Sequence, residues 1–352
     1  MAASIKGRGA AFNTPNKFET TRLEPIEINW DGTDEERSVK TVFYKDSSKS
    51  ILSKNDSPDV PFTYSINPYR GCEHGCIYCY ARPSHEYLGF SAGIDFESKI
   101  MVKLDAHKLL EKAFQKKSWQ PEMICFSGNT DCYQPVERKL QLTRRCLEVF
   151  LRYRNPIGII TKNSLITRDL DLLKELAALD LLFVVISITS LNNELIRVME
   201  PRTPMPKQRL ETISVLASNK IPVCVNAAPI IPGLTDEELP SILKEASAHG
   251  AKFAGYTVVR LPGPIEPLFI DWVKREMPDR AGKILNRIKD TRNGELSSSK
   301  WGKRMSGEGK IAGAIKQLFY VHCEKYGLNK EPHTFSTDHF RREPEAQMEM
   351  FG

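Results

Sequence analysis

From about residue 62 onward, short apolar runs alternate with longer segments in which apolar residues recur every three or four positions. The short runs predict strands at Tyr64–Asn67, Met123–Ser127, Gly158–Thr161, Leu182–Ile188, Val223–Ala228 and Phe253–Val259. Helices are predicted between them, near 104–117, 138–153, 166–179, 206–218 and 235–249. The strand runs are short and often β-branched, as expected when both faces of a sheet are covered. Their alternation with helices predicts right-handed crossovers and a parallel sheet. Five or six such repeats fit an open sheet or a full or partial α/β barrel. In each of these, ligands bind at the carboxyl ends of the strands, and chemistry is expected there.

The flanks read differently. Residues 1–60 are polar and are expected to form an arm with a few short strands. Their basic start, Lys6 to Gly9, reads as a solvated flexible terminus or as a contact for a polyanion. Residues 279–352 form a basic extension, with the run Lys300–Arg304 in a Ser- and Gly-rich loop. A helix is expected after that loop, with Ile311, Ile315, Leu318, His322 and Tyr326 on one face. The expected division is an arm at 1–60, a core at 61–278 and a helical extension with a flexible tail at 279–352.

Composition narrows the class. The chain has 352 residues, 41% hydrophobic and 27% charged, so it can bury a core and is not wholly disordered. A formal charge of +6 fits a soluble protein with a mildly basic surface and is compatible with nucleic acid. No run approaches the roughly 20 apolar residues a membrane helix needs. The start has no apolar leader segment, so a cytoplasmic location is expected. Eight cysteines in such a chain do not suggest a disulfide framework.

Three of the eight crowd into Cys72, Cys76 and Cys79, with Cys-x3-Cys-x2-Cys spacing in a Gly-rich loop. A loop of this kind can wrap one metal centre. A structural zinc site needs a fourth ligand, which His74, His85 or a distant cysteine could supply. A dithiol pair at Cys76 and Cys79 would leave Cys72 unexplained. A cubane cluster ordinarily takes four cysteines, so three would leave one iron open for chemistry.

The motif, placed just after a first strand, resembles that of the radical S-adenosylmethionine superfamily, and the likeness spans roughly residues 60–260. The stretches Asn67–Gly71, Thr130–Glu137, Thr161–Asn163 and Glu200–Arg202 are similar to the branch that includes spore photoproduct lyase. The resemblance implies a partial (β/α)6 TIM-like barrel. It implies that Cys72, Cys76 and Cys79 hold a 4Fe–4S cluster and that S-adenosylmethionine binds its open iron. One electron, from an unidentified donor, would cleave the cofactor to a hydrogen-abstracting 5′-deoxyadenosyl radical.

The same likeness assigns the cofactor's other contacts. Tyr78 matches an aromatic beside the adenine. Asn129, Thr130 and Asp131 stand where the family contacts the cofactor's amino group, although the usual Gly-Gly-Glu is absent. Thr130 or Asp131 could equally cap a helix. Lys162 resembles a lysine that pairs with the cofactor carboxylate, and Ser187 a ribose- or carboxylate-binding position. Arg202 could bind that carboxylate or a substrate phosphate, and Asn226 opens the fifth-strand motif beside the adenine. Cys132 and Tyr133 could pass a hydrogen atom or radical, or simply pack behind the strand end.

The substrate is the open question. The lyase-like motifs and the basic extension, with Trp301 and Tyr326, point to DNA repair or nucleic-acid modification. Gln347–Phe351 resembles a peptide that binds the replication sliding clamp. A peptide, tRNA or small-molecule substrate is the alternative, and a zinc- or cluster-stabilised binding module the second.

Overall fold

The structure, a computed structural model, describes residues 5–16 and 39–342. The described residues form ten strands: β1 (Val42–Lys45), β2 (Leu52–Lys54), β3 (Tyr64–Ile66), β4 (Tyr69–Arg70), β5 (Lys99–Val102), β6 (Ile124–Phe126), β7 (Ile157–Thr161), β8 (Leu182–Ser187), β9 (Val223–Ile230) and β10 (Phe253–Val258). Seven form one sheet in the order β10-β9-β8-β7-β6-β3-β2. The six from β3 to β10 are parallel neighbours in chain order, and only β2 runs antiparallel, at the edge. Among the described residues the fold is therefore an α/β partial barrel with two open edges, not a closed one.

Each predicted strand is present to within a few residues. β8 shows why: Leu182–Ser187 is almost entirely apolar, and every residue of it is buried or half-buried. The crossovers are helical, including Ala106–Phe114, Leu142–Tyr153, Leu170–Ala178, Pro206–Ser218 and Leu239–Ala248. Pro206 opens its helix where a missing N–H costs nothing. The main core joins these helices to the sheet through Phe114, Phe126, Phe150, Leu173 and Ile213.

Three features differ from the expectations. A second sheet, β1-β5-β4, flanks the barrel, and β4 feeds directly into the cysteine loop. The basic start is no solvated terminus, because Arg8, Gly9 and Ala10 are buried. The helix Gly309–Lys325 buries Ala312, Ile315, Phe319 and Cys323, a face turned from the expected one toward Phe319. Beyond it the chain crosses the sheet and pins Ser336 N–H to the Asp180 carbonyl and Arg341 N–H to the Tyr153 carbonyl. Gln347–Phe351 lies outside the described residues. Among the described residues, no helix is long and apolar enough to cross a membrane.

Candidate active site

The carboxyl ends of the parallel strands surround one cavity of about 520 Å³, within the range of small-molecule and cofactor sites. Cys72, Cys76 and Cys79 line it from the loop after β4. Asn129, Thr130 and Asp131 line it after β6, Lys162 after β7, and Ser187 and Asn226 from β8 and β9. Register explains the last pair: Ser187 and Asn226 face each other across the parallel ladder. Ten of the thirteen residues singled out in the sequence thus meet at one place.

All three cysteines are unpaired thiols. Burial pushes each thiol's pKa up, so free thiolates would not be stable there without a cation. Among the described residues, no three His, Cys, Asp or Glu side chains converge on a single-ion position. A cubane presents separate iron corners to separate cysteines. Three thiols spread along one cavity wall fit that larger group better than they fit a zinc ion.

The loop is held by residues that explain the neighbouring motifs. Asn67 Nδ2 donates to the Thr130 carbonyl and Oγ1, both at 2.6 Å. Gln134 accepts the Glu73 N–H at 3.0 Å and donates to the Gly71 carbonyl at 3.1 Å. Glu73 in turn accepts the Val136 N–H at 2.8 Å. The Tyr69 hydroxyl donates to Glu137. The stretches 67–71 and 130–137 are therefore two halves of one frame.

Asp131 has a similar tie. Its carboxylate accepts from Tyr133 N–H at 2.9 Å, Thr161 Oγ1 at 2.7 Å and Lys162 N–H at 2.9 Å, which joins the β6 and β7 ends. His74 Nδ1 lies 3.5 Å from the same group. Burial lowers the His74 pKa and outweighs Asp131, so this contact is not an ion pair. Ser127 adopts φ of +73°, unusual for a non-glycine residue, and its Oγ accepts the Cys132 N–H at 2.7 Å.

Three residues stand elsewhere than expected. Arg202 does not line the cavity; its guanidinium pairs with Glu73 at 3.3 Å and braces the cysteine loop from outside. Cys132 is fully buried in the main core, behind the wall. Tyr133 is also buried, and its hydroxyl donates to Asp169 at 3.1 Å. Placed so, neither Cys132 nor Tyr133 reaches a molecule in the cavity.

Glu200, two residues before Arg202, is the stronger feature of that motif. Its buried carboxylate accepts from Arg209, from the Tyr78 hydroxyl and from Thr189 Oγ1 at 2.6 Å. Burial pushes its pKa upward, but Arg209, Lys162 and the two hydroxyls outweigh that and hold it at about 2. The result is a fixed Tyr78, with Lys162 Nζ 5.8 Å from its ring centre.

The cavity mouth joins the basic run Lys300–Arg304 to residues that no local motif marked, Lys54, Tyr80 and Arg260. Lys54, Tyr80, Arg260 and Arg304 line it. Arg260 lies over the Tyr80 ring at 5.8 Å and Arg304 over Trp301 at 4.2 Å. Burial and the neighbouring Arg304 lower the Arg260 pKa, the sign of cations crowded together. Tyr80 and Trp301 are 50% and 56% exposed.

Comparison with known proteins agrees with this geometry. The model of the Radical SAM superfamily matches residues 66–246. An uncharacterised protein of Mycobacterium tuberculosis (strain ATCC 25618 / H37Rv) is 36% identical over 243 residues, covering 68% of this chain and 71% of its own. An uncharacterised protein of Methanocaldococcus jannaschii is 31% identical over 175 residues, covering 50% and 63%. Spore photoproduct lyase, solved with a dinucleoside spore photoproduct, aligns with a TM-score of 0.58 at 16% identity, over 86% of each chain. At that identity the last match speaks for the fold alone.

Proposed function

This chain belongs to the radical S-adenosylmethionine superfamily, enzymes that bind a 4Fe–4S cluster and S-adenosylmethionine, and we propose that it acts on a nucleic acid. Cys72, Cys76 and Cys79 are the residues that would hold the cluster. When bound, cluster and cofactor supply the hydrogen-abstracting radical chemistry of the family. The protein's part is to place the cofactor and keep water out. In this reading Tyr78, held by Glu200, offers its ring to the adenine. Lys162 pairs with the cofactor carboxylate, and Asn129, Thr130, Ser187 and Asn226 supply polar contacts around it.

One observation carries the substrate assignment: the cationic and aromatic rim opens onto the same cavity as the three cysteines. Arginines beside exposed rings suit phosphates next to bases. The dinucleoside photoproduct held by the lyase of similar fold is consistent with such a substrate. DNA repair is the finer form of this proposal. A small-molecule or peptide substrate is the second reading. One contact favours it: Arg304 is already paired with Asp59, and Gly302 N–H donates to the same carboxylate at 2.6 Å, which narrows the mouth.

Binding against salt separates the two. Oligonucleotide affinity should fall steeply as salt rises, and Arg260→Ala should reduce the slope of log affinity against log salt by about 1. Arg260 lies outside the predicted cluster and cofactor contacts, so substrate-free cofactor cleavage should persist. Salt-independent binding, or none, would shift the assignment to the small-substrate reading.

Lys162→Ala tests the cofactor pose. Loss of one charge-assisted contact is expected to weaken S-adenosylmethionine binding about 10- to 100-fold. Iron content should stay at the parent level. Unchanged affinity in equilibrium dialysis would remove Lys162 from the site.

A further inference from the structure

The cysteine loop has two sides. One faces the cavity; the other is covered by the amino-terminal segment, residues 5–16, none of which lines the cavity. The two backbones meet more closely than side chains permit. A Cβ added at Gly9 would stand 2.0 Å from the Gly75 carbonyl oxygen and 3.3 Å from the Ile77 amide nitrogen. Gly75 itself, between Cys72 and Cys76, holds φ of +68°, a conformation that favours glycine. Further along, a Cβ at Gly93 would stand 2.2 Å from the Phe12 carbonyl oxygen.

A fully buried carboxylate links segment and loop. Glu97 accepts the Gly9 N–H at 3.1 Å and the Ala10 N–H at 2.9 Å. It also pairs with Arg82. Arg82 is equally buried and donates to the Cys76 carbonyl at 2.8 and 3.1 Å. Arg8 closes the ring from the other direction: it donates to the Glu97 carbonyl at 2.5 Å and to the Val39 carbonyl at 2.7 Å. Ala10 packs in one apolar cluster with Cys76, Ile77 and Tyr78.

A segment so placed excludes water from the back of the loop and fixes the backbone that carries the thiols. The shell around a metal site governs solvent access and ligand orientation. We propose that Arg8, Gly9 and Ala10 form a rear seal of the cluster site. They are positioning residues: they set how well the cluster is retained and how long it survives oxygen, not how the substrate is recognised.

Full-length Gly9→Val, Arg8→Ala and Lys6→Ala variants, reconstituted anaerobically with iron and sulfide, test this. Gly9→Val forces the segment off the loop. Arg8→Ala loosens it without a clash, and so decides the matter should Gly9→Val be insoluble. Lys6 is exposed and serves as the control. The expected result is bleaching of the cluster absorbance in air about tenfold faster for the first two, with lower iron per chain. Lys6→Ala should match the parent. The denaturation midpoint of each iron-free chain supplies the comparison for a merely structural role. Parent-like bleaching in both buried-site variants would overturn the proposal. So would bleaching that rises only in proportion to lost stability of the iron-free chain.

Discussion

Replacing Cys76 by Ala is expected to give a folded, colourless protein that forms no 5′-deoxyadenosine from S-adenosylmethionine and dithionite. The reason lies in how the loop is held. Arg82 grips the Cys76 carbonyl, and the Ile77 N–H donates to the Met199 carbonyl at 3.1 Å. These backbone contacts survive the substitution, so only the thiol is lost. A small side chain in place of a buried thiol costs about 1–2 kcal/mol of packing, too little to unfold a domain of this size. Two remaining cysteines cannot hold a cluster that already uses only three protein ligands. Iron analysis, the brown absorbance and product chromatography check the outcome. Full iron and undiminished cofactor cleavage in this variant would refute the assignment of Cys76. Cys72→Ala and Cys79→Ala should behave alike.

The second large effect is expected at Glu200. Removing this carboxylate in Glu200→Ala leaves the Arg209 guanidinium buried and unpaired, a loss of about 3–5 kcal/mol. It also removes one of the two partners of the Tyr78 hydroxyl, leaving only Thr189 Oγ1 at 3.1 Å, so S-adenosylmethionine affinity should fall as well. The double variant Glu200→Ala with Arg209→Met separates the two roles. Removing both charges should restore much of the stability, whereas cofactor affinity should stay low because Tyr78 still lacks its carboxylate partner. Recovery of both would mean that Glu200 serves stability alone.

Acid titration gives an independent reading of Glu200. Its folded pKa of about 2 lies below the ordinary 4.5. A depressed carboxylate contributes stability that is complete above about pH 4.5 and is lost as pH falls toward 2. The contribution is on the order of 3 kcal/mol. Glu200→Ala should flatten that part of the stability profile, measured by denaturant unfolding between about pH 5 and 2. An unchanged acid slope would show that other carboxylates carry it.

The strands and the ligand-bearing loops could be read from the chain because their causes are local. A buried parallel strand must be an apolar run, as in Leu182–Ser187, wherever it sits in the sheet. Cys72, Cys76 and Cys79 lie within eight residues, and a parallel sheet sends every strand end to the same side. Asn129, Lys162, Ser187 and Asn226 could therefore be placed together before their distances were known.

Neighbouring residues could not be sorted in the same way. Glu200 and Arg202 lie in one short motif, yet one turns inward to Tyr78 and the other outward to Glu73. Cys132 and Tyr133 follow a cavity residue but turn into the core. Such choices depend on backbone direction at single positions, which composition and spacing do not encode. How the mouth and the rear seal come together was illegible for another reason, distance along the chain. Arg304 meets Asp59 across 245 residues, and Gly9 meets Glu97 across 88. Two buried or half-buried charges, or a glycine and a carbonyl, carry no sign of their partner until folding brings them into contact.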